Sequence, residues 1–407
     1  MLRMAFLNIF RNSTRSLLTA GVIACGGAAV ICAQGFIVNS MTNMEESYIG
    51  SMLGHLQIAQ DGHFAEATAH PYRKLVMDAE AVVREVEGVS GVKAVTPRLS
   101  FTGLIGGGDG SVPCVGLGVE PAGDRKMGQY LWMKQGADLE GPEDDFLVIG
   151  LGLAEALRVN LGDTLMIAGT TVKGRVNDIV APVKGVFATA SKAFDDRAVR
   201  VSIGMARRFL KTRGVQTIVV LLDRTEDTDR IAAALRSRFR EKGWVLEVKP
   251  WHEMEGVRFI HDTRKLYDRL FGVMNVILVV IVVLGVYNTM NMAVHERIGE
   301  IGTMRALGTR RGRVVRMFLL EGVALGVIGG VTGMVLGYAL AKILTCIGIP
   351  MPVPPGTTWE WVAYIDVVPW AFGAAFGLCL FTAAASSLFP AMKASRTDTA
   401  EALRHNV

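Results

Sequence analysis

The chain has 407 residues, 50% of them hydrophobic, and its 46 glycines are more than a soluble domain usually carries. This composition excludes an ordinary soluble enzyme and predicts an integral membrane protein. The formal net charge of +5 comes from arginine clusters beside apolar segments, so it does not indicate nucleic-acid binding. The 5 cysteines lie mostly in apolar segments and do not indicate a disulfide framework.

The first predicted element is a basic amphipathic helix over residues 1–16. Apolar side chains such as Phe6 and Ile9 alternate there with Arg3 and Arg11. This pattern is typical of a helix that lies on the cytoplasmic surface of a membrane.

Residues 17–39 follow as the first predicted transmembrane helix. No charged side chain occurs between Leu17 and Val38, and about 20 apolar residues suffice to cross the hydrocarbon core. A cleaved signal peptide is the alternative, because the residues up to Cys25 have the shape of a lipoprotein cleavage box. Apolar residues continue well past Cys25, which favours a retained membrane helix.

The polar region of residues 40–269 is long enough for one or two subdomains with their own core. Short β-branched runs alternate in it with helical patterns, for example a helix over residues 73–87 between two strands. We therefore predict a large extracytoplasmic α+β domain. The glycine-rich residues 103–110 lack the lysine and the helix start of a phosphate loop, so we predict a hairpin tip there.

This domain shows no catalytic or metal-binding constellation. Its acidic residues and histidines, among them Asp195, Asp196, His252 and His261, lack the spacing of metal ligands. We therefore expect a chain that is not an enzyme, holds no metal and binds no cofactor.

Three further transmembrane helices are predicted over residues 270–294, 317–342 and 367–392, because each is a long apolar run. Residues 343–366 form a predicted outer loop, since they are rich in proline and tryptophan and contain no lysine or arginine. Pairs of glycines four residues apart predict close helix packing, within the chain or in a dimer, at Gly326, Gly330, Gly333, Gly337, Gly373 and Gly377.

The loop of residues 295–316 contains a predicted short helix. Its apolar residues recur at every third position, at Ile298, Ile301, Met304 and Leu307, and Gly308 supplies the end. Three interpretations of such a helix remain open. It lies on the membrane surface, packs as a plug on the neighbouring spans, or docks on a cytoplasmic partner.

Charge asymmetry predicts the orientation of the chain. Arginine exceeds acidic residues in the loop of residues 295–316, and positive charge also occurs at the N-terminus and in the tail of residues 393–407. These segments are therefore expected in the cytoplasm and the α+β domain outside. Glu321 is expected at the cytoplasmic end of the third span, where its carboxylate reaches the lipid headgroups.

The four spans, the inserted domain and the basic loop resemble the MacB/FtsX-like permeases of type VII ABC transporters. Residues 296–311 match the family pattern E-R-x-x-E-I-G-x-x-R-A-x-G-x-x-R. Residues 390–404 match the family ending P-A-x-x-A-x-R-x-x-P-x-E-A-L-R, except that Thr399 stands where proline is usual. Ala5, Asn8 and Arg11 resemble the family's first helix, although Leu7 replaces a frequent arginine.

Within the family, residues 54–58 resemble the first outer strand of the lipoprotein-releasing LolC/LolE-like branch more than that of the macrolide exporters. The chain contains no Walker motif. The resemblance therefore implies a separate cytoplasmic ATPase subunit, with ATP and Mg²⁺ bound there and not by this chain. It also implies a multi-pass protein of the bacterial inner membrane with both termini in the cytoplasm.

The resemblance further implies that the short helix is a coupling helix that docks in a groove of the ATPase. The implied coupling residues are Glu296, Arg297, Ile298, Glu300, Ile301, Met304, Arg305 and Leu307. By mechanotransmission, the complex is expected to extract or export a lipidated or amphipathic substrate. The alternative is an FtsX-like regulator that transmits the ATPase state to a periplasmic hydrolase. Further implied partners are a second copy or a paralogous permease, and a periplasmic adaptor or lipoprotein carrier.

Overall fold

The computed structural model describes residues 13–67, 69–107, 110–127, 131–189, 191–254, 257–351 and 361–396. The chain divides into two compact units. We call the unit of residues 1–42, 262–350 and 362–407 the helical unit, and the unit of residues 43–261 and 351–361 the inserted domain. Most of the predicted helix over residues 1–16, and the predicted tail from residue 397 onward, lie outside the described residues.

The described α-helices are α1 (Ser13–Tyr48), α2 (His63–Glu66), α3 (Ala79–Glu87), α4 (Pro121–Met127), α5 (Leu151–Leu157), α6 (Lys192–Asp195), α7 (Ile203–Leu210), α8 (Thr228–Glu241), α9 (Arg258–Glu296), α10 (Ile298–Ala306), α11 (Arg311–Ile347) and α12 (Pro369–Arg396). The described strands are β1 (Leu56–Gln60), β2 (Val92–Gly107), β3 (Gly110–Val119), β4 (Trp132–Gly136), β5 (Leu147–Gly150), β6 (Thr164–Thr170), β7 (Val176–Ala188), β8 (Ala198–Ser202), β9 (Thr217–Leu222), β10 (Leu246–Pro250), β11 (Ile349–Met351) and β12 (Trp361–Ala363).

Four helices, α1, α9, α11 and α12, are long and apolar enough to cross a membrane. Helices α1, α9 and α11 contain the spans predicted at residues 17–39, 270–294 and 317–342 and extend beyond both ends of them. Helix α12 begins two residues after the start of the span predicted at residues 367–392 and extends beyond its end. The prediction located the uncharged stretches only. Polar residues at helix ends continue the same backbone hydrogen-bond pattern, so the helices are longer than their hydrophobic parts.

Helix α11 uses its glycines to pack against two neighbours. A Cβ atom on Gly333 would lie 2.9 Å from the carbonyl oxygen of Ala24 in α1, and Gly337 similarly faces Ile31. On another face, a Cβ atom on Gly326 would lie 2.9 Å from the Cβ atom of Ala383 in α12, and Gly330 contacts that helix as well. The absence of side chains at these positions lets the helix backbones approach closely.

The remaining glycine pair, in α12, behaves differently. A Cβ atom on Gly373 or Gly377 would meet no atom within 4 Å. The predicted packing role of these two glycines is therefore wrong for contacts within the described part of this chain. Their spacing of four residues places them on a face of α12 that α11 does not cover.

One half of the inserted domain is an open antiparallel sheet with the strand order β10–β1–β9–β2. In the central strand β1, Ile58 pairs with Val248 on one side and with Ile218 on the other. Helices α3 and α8 pack on this sheet and bury apolar side chains such as Val86 and Phe239. The buried apolar residues within each helix recur at helical spacing, which gives each helix one apolar face.

Strand β2 is long because it runs through two parts of one 10-stranded sheet. Its first half pairs with β9, and its second half pairs with β3 and β6. The pairing then continues from β3 to β8, β5, β7 and β6, so these strands with β2 close into a barrel. In its core, the Phe101 ring lies 4.6 Å from that of Phe209, and a Cβ atom on the facing Gly116 would overlap the Phe101 ring.

One local prediction for this domain is corrected, and a second one agrees with the strand pairing. The helix predicted over residues 73–87 begins only at Ala79, because Val76 pairs with Val215 in an isolated bridge and Asp78 caps the helix. The Asp78 carboxylate accepts a hydrogen bond from the Ala81 N–H at 3.3 Å. The hairpin predicted over residues 103–110 has strand structure up to Gly107 and from Gly110, and the two residues between them lie outside the described ranges.

Candidate functional site

Helix α10, the short helix, lies between two long helices and has a defined start and end. It is separated from α9 by Arg297 alone, whose backbone (φ −106°, ψ 16°) is not helical. At the other end Gly308 adopts a positive φ of 87°, and the Thr309 N–H bonds to the Met304 carbonyl at 3.0 Å. Glycine favours this left-handed conformation because it has no Cβ atom, so Gly308 ends the helix as predicted.

The inner face of the short helix packs on its neighbours in the helical unit. Ile301 is only 2% exposed and belongs to a cluster with apolar residues of α9, α11 and α12: Val294, Val314, Phe318, Ala391 and Ala394. Met304 is half-buried against the same cluster. Of the three interpretations, this geometry fits the helix that packs on its neighbours.

A buried ion pair joins the start of this helix to α11. The Arg297 Nη1 atom lies 3.3 Å from Glu321 Oε2 and 3.5 Å from Glu321 Oε1. Arg297 is 4% exposed and Glu321 is 5% exposed. The prediction that Glu321 reaches the lipid headgroups is therefore wrong, because an acid inside an apolar helix bundle is stabilised by pairing with a cation.

A second polar contact holds the other end of the short helix. Arg305 Nη1 donates a hydrogen bond to the Ser395 carbonyl at 3.2 Å, in the last turn of α12. The last carbonyl groups of a helix have no partner within it and attract basic side chains. The short helix is thus fixed to α11 by Arg297, to α12 by Arg305, and to both by the apolar cluster.

The outer face carries the exposed residues of this segment. Glu296, Glu300, Thr303 and Leu307 are exposed, and Leu307 is 82% exposed. We call Glu300, Thr303 and Leu307 the exposed face of the short helix. It is mostly polar, with one large apolar side chain at its end.

The structure divides the implied coupling residues between the inner and the outer face of the short helix. Ile298, Ile301, Met304 and Leu307 were expected to form one apolar stripe, whereas Ile301 is buried, Ile298 and Met304 are half-buried and Leu307 is exposed. Arg305 is half-buried as well. Residues at every third position do not stay on one face, because a helical turn has 3.6 residues. Over the nine residues from Ile298 to Leu307, the side-chain direction therefore rotates by about 180°. Leu307 therefore points away from the side that Ile298 occupies.

Sequence reasoning also missed Glu321 as the partner of Arg297 and Ser395 as the partner of Arg305. One signal was present, because a single acid in a long apolar run requires a partner, and arginines are frequent in the loop before it. No comparable signal exists for Ser395, since its backbone carbonyl makes the contact.

The inserted domain contains a separate buried ion network. Asp124 accepts hydrogen bonds from Arg98 Nη2 at 3.0 Å and from Arg200 Nη2 at 2.5 Å, and Arg200 also contacts Asp138 at 2.8 Å. Burial raises the pKa of Asp124, but the two guanidinium groups outweigh it and hold this pKa below its ordinary value. Among the described residues, no group of three or more His, Cys, Asp or Glu is placed to hold a metal ion.

Two family models match the chain. The model of the MacB-like periplasmic core domain matches residues 16–238, more than half of the chain. The model of the FtsX-like permease C-terminal region matches residues 272–399. This second range contains the short helix and all the residues that hold it.

Relatives agree with these matches. An uncharacterised ABC transporter permease of Methanocaldococcus jannaschii is 23% identical over 98% of this chain and 96% of its own length. The macrolide export ATP-binding/permease protein MacB of Chlorobium luteolum is 26% identical over 98% of this chain, and the match spans 59% of that protein. The solved periplasmic region of MacB from Actinobacillus actinomycetemcomitans is 16% identical, with a TM-score of 0.38 over 51% of this chain and 94% of that one.

Proposed function

This chain belongs to the MacB/FtsX-like family of ABC transporter permeases, and from that premise we propose that it couples a separate cytoplasmic ATPase subunit to movement of its inserted domain. ATP and Mg²⁺ bind in that partner. Closure of an ATPase dimer draws two short helices together, and the long helices pass this movement on. The permease pairs for this purpose with a second copy or with a paralogue.

The observation that carries this proposal is the way the short helix is held. Its inner face is fixed by the Arg297–Glu321 pair, the Arg305–Ser395 bond and the apolar cluster around Ile301. A helix fixed in this way passes an applied displacement to α11 and α12 without bending at its contacts. A helix lying loosely on a membrane surface does not need such contacts.

Docking then uses the exposed face of the short helix, Glu300, Thr303 and Leu307, and not the buried Ile301. Small interfaces combine an apolar anchor with a polar rim. Leu307 supplies the anchor, and Glu300 supplies a charge on the rim. Glu296 is exposed on the preceding turn and extends the rim.

The same proposal places both termini and the short helix in the cytoplasm of a bacterial inner-membrane protein, with the inserted domain outside. It is supported by the arginine excess before and within the first turns of α11, at Arg310, Arg311, Arg313 and Arg316.

For the substrate we propose a lipidated or amphipathic molecule that is extracted from the outer leaflet or exported, with a periplasmic adaptor or lipoprotein carrier as a further partner. The support is the size of the inserted domain, which combines an open sheet with a closed barrel. A relative in the same family is named as a macrolide exporter. The lipoprotein-releasing branch is favoured by residues 54–58.

The second candidate function is regulation without transport, in which the inserted domain switches a periplasmic hydrolase. This candidate is supported by the family model over residues 272–399, which is named for FtsX-like permeases. The two functions are separated by assaying the ATPase complex for lipoprotein release from spheroplasts and for activation of a cell-wall hydrolase. Release without activation supports transport, and activation without release supports regulation.

The docking proposal is tested by co-purification of the ABC ATPase subunit with the permease. Leu307→Glu should reduce the retained ATPase at least about tenfold, because anchors of small interfaces carry most of the binding energy. Glu300→Lys should reduce it less, because it reverses a charge on the rim. The matched control is Leu161→Glu, an exposed leucine of the inserted domain, which should retain the ATPase. Full retention in the Leu307→Glu variant would refute docking through this face.

A further inference from the structure

We propose that Arg297 and Glu321 form a positioning ion pair, which sets the angle of the short helix on α11 and thereby lets the permease stimulate its ATPase. This inference rests on the proposed coupling function and deepens it. It assigns to these two buried side chains a role in the transmission of movement, in addition to any contribution to stability.

A break of one residue separates α9 from the short helix. Helix α9 ends at Glu296 and the short helix begins at Ile298, so one non-helical residue, Arg297, connects them. Its backbone still makes local bonds, from its N–H to the Val294 carbonyl at 3.2 Å and from the Ile301 N–H to its own carbonyl at 3.0 Å. A one-residue break is a point of bending unless a contact fixes it. The side chain of the break residue itself makes that contact.

The ion-pair partner of Arg297 lies on a third helix. Glu321 lies on α11 and not on either helix that meets at the break, and it is 24 residues away in sequence. The pair therefore braces the turn around Gly308 that joins the short helix to α11. Helix α11 also packs on α1 and α12 through its glycines. The pair therefore fixes the angle of the short helix relative to the whole helical unit.

An ion pair occupies a position at which apolar residues would stabilise the helix bundle equally well. The two side chains are surrounded by helices, and the neighbouring positions Val294 and Phe318 are buried and apolar. Removing two charges from water costs free energy that their attraction largely repays, so replacing such a pair by apolar residues is often neutral or stabilising. What apolar residues do not supply is the directional hydrogen bonding that fixes one geometry.

The experiment compares three variants with the wild type in the purified permease–ATPase complex. Arg297→Gln and Glu321→Gln each remove one charge of the pair and keep the other. The double variant Arg297→Met with Glu321→Leu removes both charges and keeps the volume. Because this double variant is expected to fold and to retain the ATPase, the test does not depend on the single variants being stable. Arg313→Gln, at an exposed arginine two residues into α11, is the matched control.

Two quantities are measured. The first is the distance distribution between spin labels at Thr303 and Lys342, introduced as non-canonical residues because the chain has 5 cysteines. The second is the permease-dependent stimulation of ATP hydrolysis. In the double variant we expect a broadened distance distribution and a loss of stimulation of roughly tenfold, the scale of coupling between contacting side chains. Arg313→Gln should match the wild type in both.

A double variant with the wild-type distance distribution and full stimulation would show that the pair has a stability role only, and would overturn the inference. The distance measurement needs no ATPase, so it tests the ion pair even where docking fails. Conversely, a wild-type chain that retains no ATPase subunit contradicts the proposed function and leaves the geometry of the pair measurable.

Discussion

Asp124 holds two arginines together in the core of the inserted domain. It contacts Arg98 of β2 and Arg200 of β8, and both guanidinium groups are buried. Asp124→Asn would remove the one carboxylate that lies between the two buried guanidinium groups. We expect it to lower the free energy of unfolding of this domain by about 3–5 kcal/mol, the usual cost of breaking a buried ion pair from one side.

Chemical denaturation followed by tryptophan fluorescence measures this loss. The control is Asp138→Asn, because Asp138 pairs with one of the two arginines, Arg200, and its side chain is 22% exposed, so solvent screens the charge that remains. Equal losses in the two variants would contradict the central position of Asp124.

His55 makes the inserted domain sensitive to acid. Its Nδ1 atom lies 3.0 Å from the Leu222 N–H nitrogen and accepts that hydrogen bond, while Nε2 lies 3.0 Å from Thr225 Oγ1. Burial, and secondarily the charge of Lys93, lowers the pKa of His55 from 6.5 to about 4. As the pH falls from 6.5 to 4, the unfolded chain takes up this proton before the folded chain does.

The stability contributed by neutral His55 is therefore complete above pH 6.5 and is lost as the pH falls toward 4, by up to about 3 kcal/mol. His55→Gln preserves one acceptor and one donor but does not titrate. The melting temperature of the wild type should fall more steeply between pH 7 and pH 4.5 than that of this variant. Parallel curves would show that another group causes the acid sensitivity.

At the scale of elements, the glycines of α11 set how closely the long helices approach. A Cβ atom on Gly333 would meet the backbone of Ala24 at 2.9 Å, and backbone atoms do not move aside as a flexible side chain does. Gly333→Ala should therefore destabilise the helical unit by about 1–3 kcal/mol. Gly373→Ala, where a Cβ atom meets nothing within 4 Å, should be neutral or slightly stabilising. Thermal unfolding in detergent compares the two, and equal melting temperatures would contradict this packing.

The elements themselves follow from sequence to different degrees. The long helices are predictable because an uncharged run of about 20 residues has few other solutions in a membrane protein. The short helix is predictable from its apolar residues and Gly308. Its orientation is not, because it depends on Glu321 and Ser395, which are distant in sequence. The barrel was not predicted either, since its closure depends on pairing between β2 and β6, and such long-range register leaves no local signal.

At the scale of the whole molecule, this chain is a multi-pass permease whose inserted domain lies between its first and second long helices. The family and the order of its parts were predictable from the motif of residues 296–311 and the spacing of apolar runs. The motif mixes two kinds of residue that sequence alone did not separate. Arg297, Ile301 and Arg305 hold the short helix in place, whereas Glu300 and Leu307 remain exposed.

Coupling between ATP hydrolysis and the inserted domain requires that an ATPase subunit docks on the exposed face of the short helix. Site-specific photo-crosslinking in the membrane tests it most directly, with the photoreactive residue placed at Leu307, at Thr303 and, as a control, at Val335, an exposed apolar position within α11. We predict that Leu307 crosslinks to the ATPase subunit and that Val335 does not. An ATPase subunit that co-purifies with the permease but crosslinks from neither Leu307 nor Thr303 would contradict the claim.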